Sequence, residues 1–337
     1  MRNKGLKFIG GLLLAGLISV PAWGSPDRPN TAYPGTLNYV EGQASIDSQS
    51  LNSNSIGSAV LAPGQTITTE QGKAEVLLTP GVFLRLGDAS AVKMISPSLT
   101  DTEVAVQRGE ATVEVADIHE QNQLIVDEGS SSTRLLKNGL YDFDADQGAV
   151  RVFSGEALLH DRDQQLKIKG GHQVVLGADR LKAHGFDKTA YEGDLYQWSS
   201  LRSSYLAEAN VDEAPLYVNA GWYGPGWIGT GWYWDPYFDC YTFLPGDGFF
   251  YSPFGWGFYS PIDVYGAPWA FRGHYPHHFD PHGPALAPRY GHAFAGGGFH
   301  GGGFRGGEGF HGGGGFHGGG FGGGGFHGGG GGFGGHR

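Results

Sequence analysis

The stretch that decides the fold runs Ala74-Glu75-Val76-Leu77-Leu78-Thr79-Pro80-Gly81-Val82-Phe83-Leu84-Arg85-Leu86-Gly87-Asp88. Two short apolar-rich runs flank Thr79-Pro80-Gly81. Proline presets φ for the second position of a tight turn and glycine accepts the positive φ of the third, so the stretch predicts a hairpin. The same reading spreads outward to Glu103–Gln107, Ala111–Val115, Gln123–Val126, Gly148–Phe153, Ala157–His160, Gln165–Ile168 and His172–Leu176. Alternating apolar residues, with turn residues at intervals of about 10, predict a mainly β domain over residues 35–188: a sandwich, a barrel or a solenoid.

These runs also carry a pattern of their own. Leu61-x-x-Gly64-Gln65-x-Ile67-x-Thr69 leads into Gly72-x-Ala74-x-Val76-x-Leu78, then into Gly81-x-Phe83-x-Arg85-Leu86-Gly87-x-x-Ser90. Further on stand Val150-Arg151-Val152-Phe153-Ser154-Gly155-Glu156-Ala157 and Gly170-Gly171-His172-Gln173-Val174. From Tyr39 to Leu176 the chain thus resembles the FecR domain family of exported bacterial proteins. That resemblance implies an extracytoplasmic β domain without catalytic residues, one that contacts another protein or surface component. In the family's namesake regulators such a domain follows a membrane helix, and a cytoplasmic segment restrains a sigma factor. Here neither a cytoplasmic N-terminal region nor an internal membrane helix is expected, so the signalling role is not carried over.

Residues 1–24 read as a signal peptide. Arg2, Lys4 and Lys7 precede the uncharged run Phe8–Val20, Pro21 breaks it, and Ala22-Trp23-Gly24 offers small residues for cleavage before Ser25. The apolar run is short of the roughly 20 residues a membrane span needs. An uncleaved signal-anchor is the competing reading, and both export the rest to the periplasm or the cell surface. Residues 25–34 follow as a flexible leader. Cys240 is the single cysteine, so no intramolecular disulfide is available and burial must hold the fold. A formal net charge of -11 argues against a nucleic-acid partner.

After the β domain the period changes. Leu195, Trp198, Leu201, Tyr205 and Leu206 fall near helical spacing, which predicts one short amphipathic helix over 189–208 packing its Trp198 face on the β domain. Residues 209–271 are rich in Trp, Tyr, Gly and Pro. Gly-Trp recurs at 221/222, 226/227 and 231/232, and Tyr-Ser-Pro at 251–253 and 259–261. The expectation is an extended, turn-rich segment whose aromatics dock against the β domain. Residues 272–337 form a His/Gly/Phe-rich tail holding nearly half of the chain's 62 glycines, expected to be disordered because little apolar burial offsets the entropy of ordering glycine.

The densest chemistry is His274, His277, His278 and His282, a tract able to chelate Zn, Cu or Ni weakly. His292, His300, His311, His317, His327 and His336 extend it collectively. Trp222, Trp227, Trp232, Trp234 and Trp256 could form a platform for sugar rings, or serve as core and glue. Asp142, Asp144 and Asp146 resemble a calcium loop, but Gln147 and Phe153 occupy the positions where an EF-hand needs Gly and Glu, so an acidic turn is expected. Glycine-rich matches in the tail follow no strand and suggest no phosphate site, and Arg305-Gly306-Gly307 stands alone. No nucleophile motif is evident, and Cys240 sits in an aromatic segment expected to be a loop. The sequence therefore points to a non-enzymatic envelope or cell-surface interaction protein without catalytic residues or cofactor. Its partner would be an envelope protein or a polysaccharide, with self-association through the tail. Metal binding by the His tract or glycan binding by the tryptophans is the alternative.

Overall fold

Thr79-Pro80-Gly81 forms the turn its residues dictate. The Val82 amide donates to the Thr79 carbonyl at 2.8 Å, and Gly81 holds a φ of 82°. A Cβ there would also press on Asp117 at 3.0 Å and on the Phe243 ring at 3.2 Å, so glycine is required twice over. The computed structural model describes residues 32–219 and 229–266.

Around this hairpin the strands follow in order. They are β1 (Leu37–Ile46), β2 (Gln49–Ser50), β3 (Thr66–Leu77), β4 (Val82–Leu86), β5 (Ala91–Pro97), β6 (Asp101–Arg108), β7 (Glu110–Val115) and β8 (Gln123–Glu128). Next come β9 (Ser131–Leu135), β10 (Gly139–Asp144), β11 (Ala149–Val152), β12 (Glu156–Asp161), β13 (Gln164–Lys169), β14 (His172–Val175) and β15 (His184–Gly185). The helix α1 (Asp194–Asn219) follows, then β16 (Gly231–Asp235), β17 (Cys240–Leu244), β18 (Phe249–Tyr251), β19 (Gly257–Tyr259) and the short α2 (Pro261–Gly266).

The first fifteen strands make one sheet, ordered β13-β12-β9-β8-β6-β5-β3-β4-β7-β10-β11-β14-β15, with β1 and β2 attached at β3. All pairings are antiparallel except β6 with β8. The sheet turns a corner at β3, whose first part pairs β5 and whose last part pairs β4, while β1 follows it throughout. At the corner Gly42 lies opposite Gly72, where a Cβ on Gly72 would stand 2.4 Å from the Glu41 carbonyl. Bulged strands that change layer fold a sheet over on itself. The two layers close on one apolar core that draws on both, from Val104, Val126 and Leu159 to Val76, Val113 and Val150. The fold is mainly β, a mixed many-stranded sheet with strand over 48% and no closed barrel, so the barrel alternative is not the one realised.

Strict alternation would leave one face of each layer to water. Here β4, β10 and β11 are buried at every position. The second face of β4 is covered by α1 and the segment after it, while Arg151 of β11 lies beneath the Tyr191 ring ahead of that helix. The cover corrects two expectations. The helix does not end at 208 but runs to Asn219 through Pro215, because Ala207, Ala209, Asn210 and Ala214 are buried under the aromatic segment downstream. Leu201, assigned to its apolar face, is 43% exposed, while Ser199, Arg202 and Ser203 are buried instead. The aromatic segment is not merely extended: it forms two hairpins, β16–β17 and β18–β19. Cys240 lies in β17, fully buried, not in a loop.

The signal peptide, nearly all of the leader, Trp222, Trp227, the His274, His277, His278 and His282 tract and the rest of the tail lie outside the described residues.

Candidate functional site

Period-2 alternation sends Glu75, Arg85 and Glu114 to the face of the sheet opposite the apolar core. Register then aligns one row across seven strands: Tyr39, Glu75, Arg85, Thr112, Asp142, Arg151 and Gln173 stand directly opposite their neighbours in turn. Charged residues on a solvated face would need no partners. These are covered, so they have to find partners in the protein.

Helix α1 supplies them. Arg202 Nη2 donates to Glu75 Oε1 at 3.0 Å, and its guanidinium lies 4.0 Å over the Tyr39 ring. Arg85 Nε donates to Glu75 Oε2 at 2.7 Å, and Arg85 Nη1 donates to Glu114. Ser203 Oγ donates to the other Glu114 oxygen at 2.8 Å, and the Ser199 and Thr112 hydroxyls are hydrogen-bonded at 3.1 Å. Two carboxylates thus face two guanidiniums with none of the four exposed beyond 4%. Burial pushes the Glu75 carboxyl up, but Arg202 and Arg85 together more than offset it and hold its pKa below the usual range. Glu114 has only Arg85 and a hydroxyl, so burial prevails and its pKa is raised. Further along the row Arg151 bridges Asp142 at 2.7 Å and Asp144 at 3.2 Å beneath the Tyr191 ring. The acidic β10–β11 turn is therefore occupied by an arginine of its own hairpin.

The hairpins are fastened by two side-chain amides. Asn38 of β1 donates to the Tyr241 carbonyl at 2.9 Å and accepts from the Tyr241 amide at 2.7 Å, while also donating to Glu75. Asn210 of α1 donates to the carbonyls of Phe243 and Tyr259 and accepts from the Tyr259 amide at 2.9 Å. Each amide replaces a missing strand. Beneath them Phe83, Leu77, Leu206, Phe243 and Phe258 form a second apolar core. Trp232 packs edge-on to Phe83 at 5.1 Å, and Trp234 edge-on to Tyr241 at 5.0 Å; with Trp256 they border that core and do not form an open platform.

What stays outside is a ridge. Phe249 is 57% exposed and Tyr251 51%, their rings 5.7 Å apart, with exposed Ile262 of α2 following in the chain. Burial pushes the Cys240 thiol up to about 12, so the nucleophilic thiolate is absent at neutral pH. Among the described residues no group of three His, Cys, Asp or Glu could hold a metal ion. Nor is any described helix long and apolar enough to cross a membrane. From the sequence, Arg202 is legible only as a charge interspersed on the helix, and Ser203, Asn38 and Asn210 are missed. On α1 the available signal is a polar stripe, with Arg202 and Ser203 three and four residues after Ser199 and Asn210 seven after Ser203, two helical turns on.

A family model described as FecR protein matches residues 65–158, from the start of β3 into β12. No curated protein matches the chain. Two crystal structures of a protein from Parabacteroides distasonis ATCC 8503, described as an anti-sigma factor, share 16% identity with it at a TM-score of 0.32. The match covers 41% of this chain and 64% of that one, so the chain spans less than two thirds of that protein's length.

Proposed function

We propose that this chain, which carries a FecR domain, is a non-enzymatic exported protein that binds a protein partner of the cell envelope. The observation that carries the reading is the ionic seat of α1. Through Arg202 and Glu75 it locks an aromatic module onto one face of the sheet, and the module then presents Phe249, Tyr251 and Ile262 outward. Two aromatic side chains held side by side, as Phe249 and Tyr251 are, suit a recognition surface, since little entropy is lost on docking. Export rests on the basic and apolar N-terminal sequence. The glycan reading finds no support in Trp232, Trp234 and Trp256, which are spent on packing.

Proximity labelling in the native host, with the N-terminal sequence intact, tests this. The expected result is a small set of envelope proteins labelled by the native chain and lost with the double substitution Phe249→Ser and Tyr251→Ser. Labelling of cytoplasmic proteins, or a set untouched by the double substitution in a protein of unchanged melting temperature, would overturn it.

A further inference from the structure

A cleft of about 580 Å³ opens where the turn between β8 and β9 faces the turn between β10 and β11. None of its lining residues belongs to α1 or to the hairpins, so a ligand held there is independent of the Phe249 and Tyr251 ridge. Asp127, Glu128, Gly129, Ser130 and Ser131 form one wall, and no lysine or arginine lines it. Glu128 continues the inward face of β8 behind Leu124 and Val126 and is only 5% exposed. Neither of its carboxylate oxygens has a hydrogen-bond partner of normal geometry. Across β9, outside the cleft lining, Asp161 is 1% exposed and accepts from Ser130 through Oδ1 at 3.4 Å. Buried acceptors left empty cost on the order of 1–3 kcal/mol each, and native proteins leave few of them. The remaining wall includes the aliphatic Val106, Ala145 and Leu176, with exposed Gln107 at the rim.

We propose that this cleft binds an organic cation carried on an aliphatic stem, an alkylammonium or alkylguanidinium group, with Glu128 as its counter-ion. The apolar wall takes the methylene stem and the Glu128 carboxylate, which no side chain pairs, takes the head, the division that lysine and arginine side chains themselves favour. A metal ion fits less well, because Glu128 and Asp127 bring no third ligand.

Protonation supports the geometry. Burial, and then the facing Asp144 of β10, raise the Glu128 pKa to about 7, against the opposing pull of the Ala149 amide and Arg151 of β11. Without a cation the group is therefore half protonated at neutral pH, and a cation must displace that proton.

Calorimetric titration of the full chain tests the proposal, with spermidine in one arm and capped Ala-Lys-Ala and Ala-Arg-Ala peptides in the other. Saturable one-to-one binding is expected in at least one arm. It should be about tenfold tighter at pH 8 than at pH 6, the ratio that proton competition at a group titrating near 7 requires. Binding by spermidine points to a free polyamine, and binding by a peptide alone to a basic segment of a protein. Glu128→Gln should weaken either at least tenfold. Gln107→Arg, which sets a guanidinium at the rim from an exposed position without altering Glu128, should do the same. No binding in either arm, or binding kept in both variants, overturns the proposal.

Discussion

At the scale of the residue, burial decides what each charge is worth. Arg202 holds Glu75 from outside the sheet, and removing one member of a buried pair leaves the other charge uncompensated, at about 3–5 kcal/mol. Arg202→Met should lower stability to urea by that order, even though Met matches the apolar part of the arginine stem. Equal unfolding midpoints in the two proteins would show that Arg85 alone suffices for Glu75. Glu128 has the opposite sign. Its folded pKa of about 7 exceeds the ordinary 4.5, so between those values the folded chain holds a proton that the unfolded chain has released. Stability from this group is complete below pH 4.5 and is lost as pH rises through 7. Glu128→Gln, which cannot ionise, should match the native chain near pH 4.5 and exceed it by on the order of 2–3 kcal/mol at pH 8. Urea midpoints at the two pH values check this, and a pH-independent gap would show that the carboxyl is solvated.

At the scale of the element, backbone groups explain both what could be read in advance and what could not. Strands β3, β4, β6 to β8 and β11 to β14 announce themselves through alternation and through turn residues such as Pro80-Gly81, which act within a few residues of themselves. Alternation is also consistent with Glu75 and Arg85 facing away from the first core. It could not say that the face is covered, because its cover lies more than a hundred residues further along the chain. The helix was legible as far as Leu206, where apolar spacing is regular. It was lost where Glu208, Asn210, Asp212 and Glu213 break the pattern, since the reason for Asn210 is the edge of β19 and not a neighbour on α1. Hairpins as short as β18–β19 are marginal alone. They persist here by borrowing a side-chain amide. Asn210→Leu leaves the Tyr259 amide and the Phe243 and Tyr259 carbonyls without that partner, at about 1–3 kcal/mol for each that stays buried. Hydrogen exchange at Tyr259 should accelerate at least tenfold in this variant, while exchange in β6 and β8 stays unchanged. Parallel acceleration in those strands would mean that module and sheet unfold as one.

At the scale of the whole molecule, charge is divided along the chain. The formal charge of -11 counts histidine as neutral, and His274, His277, His278, His282 and six more beyond them gather after Phe271. Free imidazole gains its proton below about 6.5, so a small fall in pH turns the C-terminal segment strongly cationic while most carboxylates stay ionised. Opposite charges then reside on different parts of the same chain, which favours contacts between molecules over repulsion among them. Light scattering of the full-length protein should therefore rise between pH 7.5 and 5.5, and 0.5 M salt should suppress the rise because the Debye length falls to roughly 4 Å. A full-length variant with those ten histidines changed to glutamine should stay flat, which separates their titration from that of Asp212, raised to about 6 by burial and by Asp235. A rise that survives the substitution would assign the association to the carboxylates. Scattering that stays flat in both proteins would remove the histidines from any role in self-association and leave weak metal binding as the property to test, by titrating zinc into the same pair.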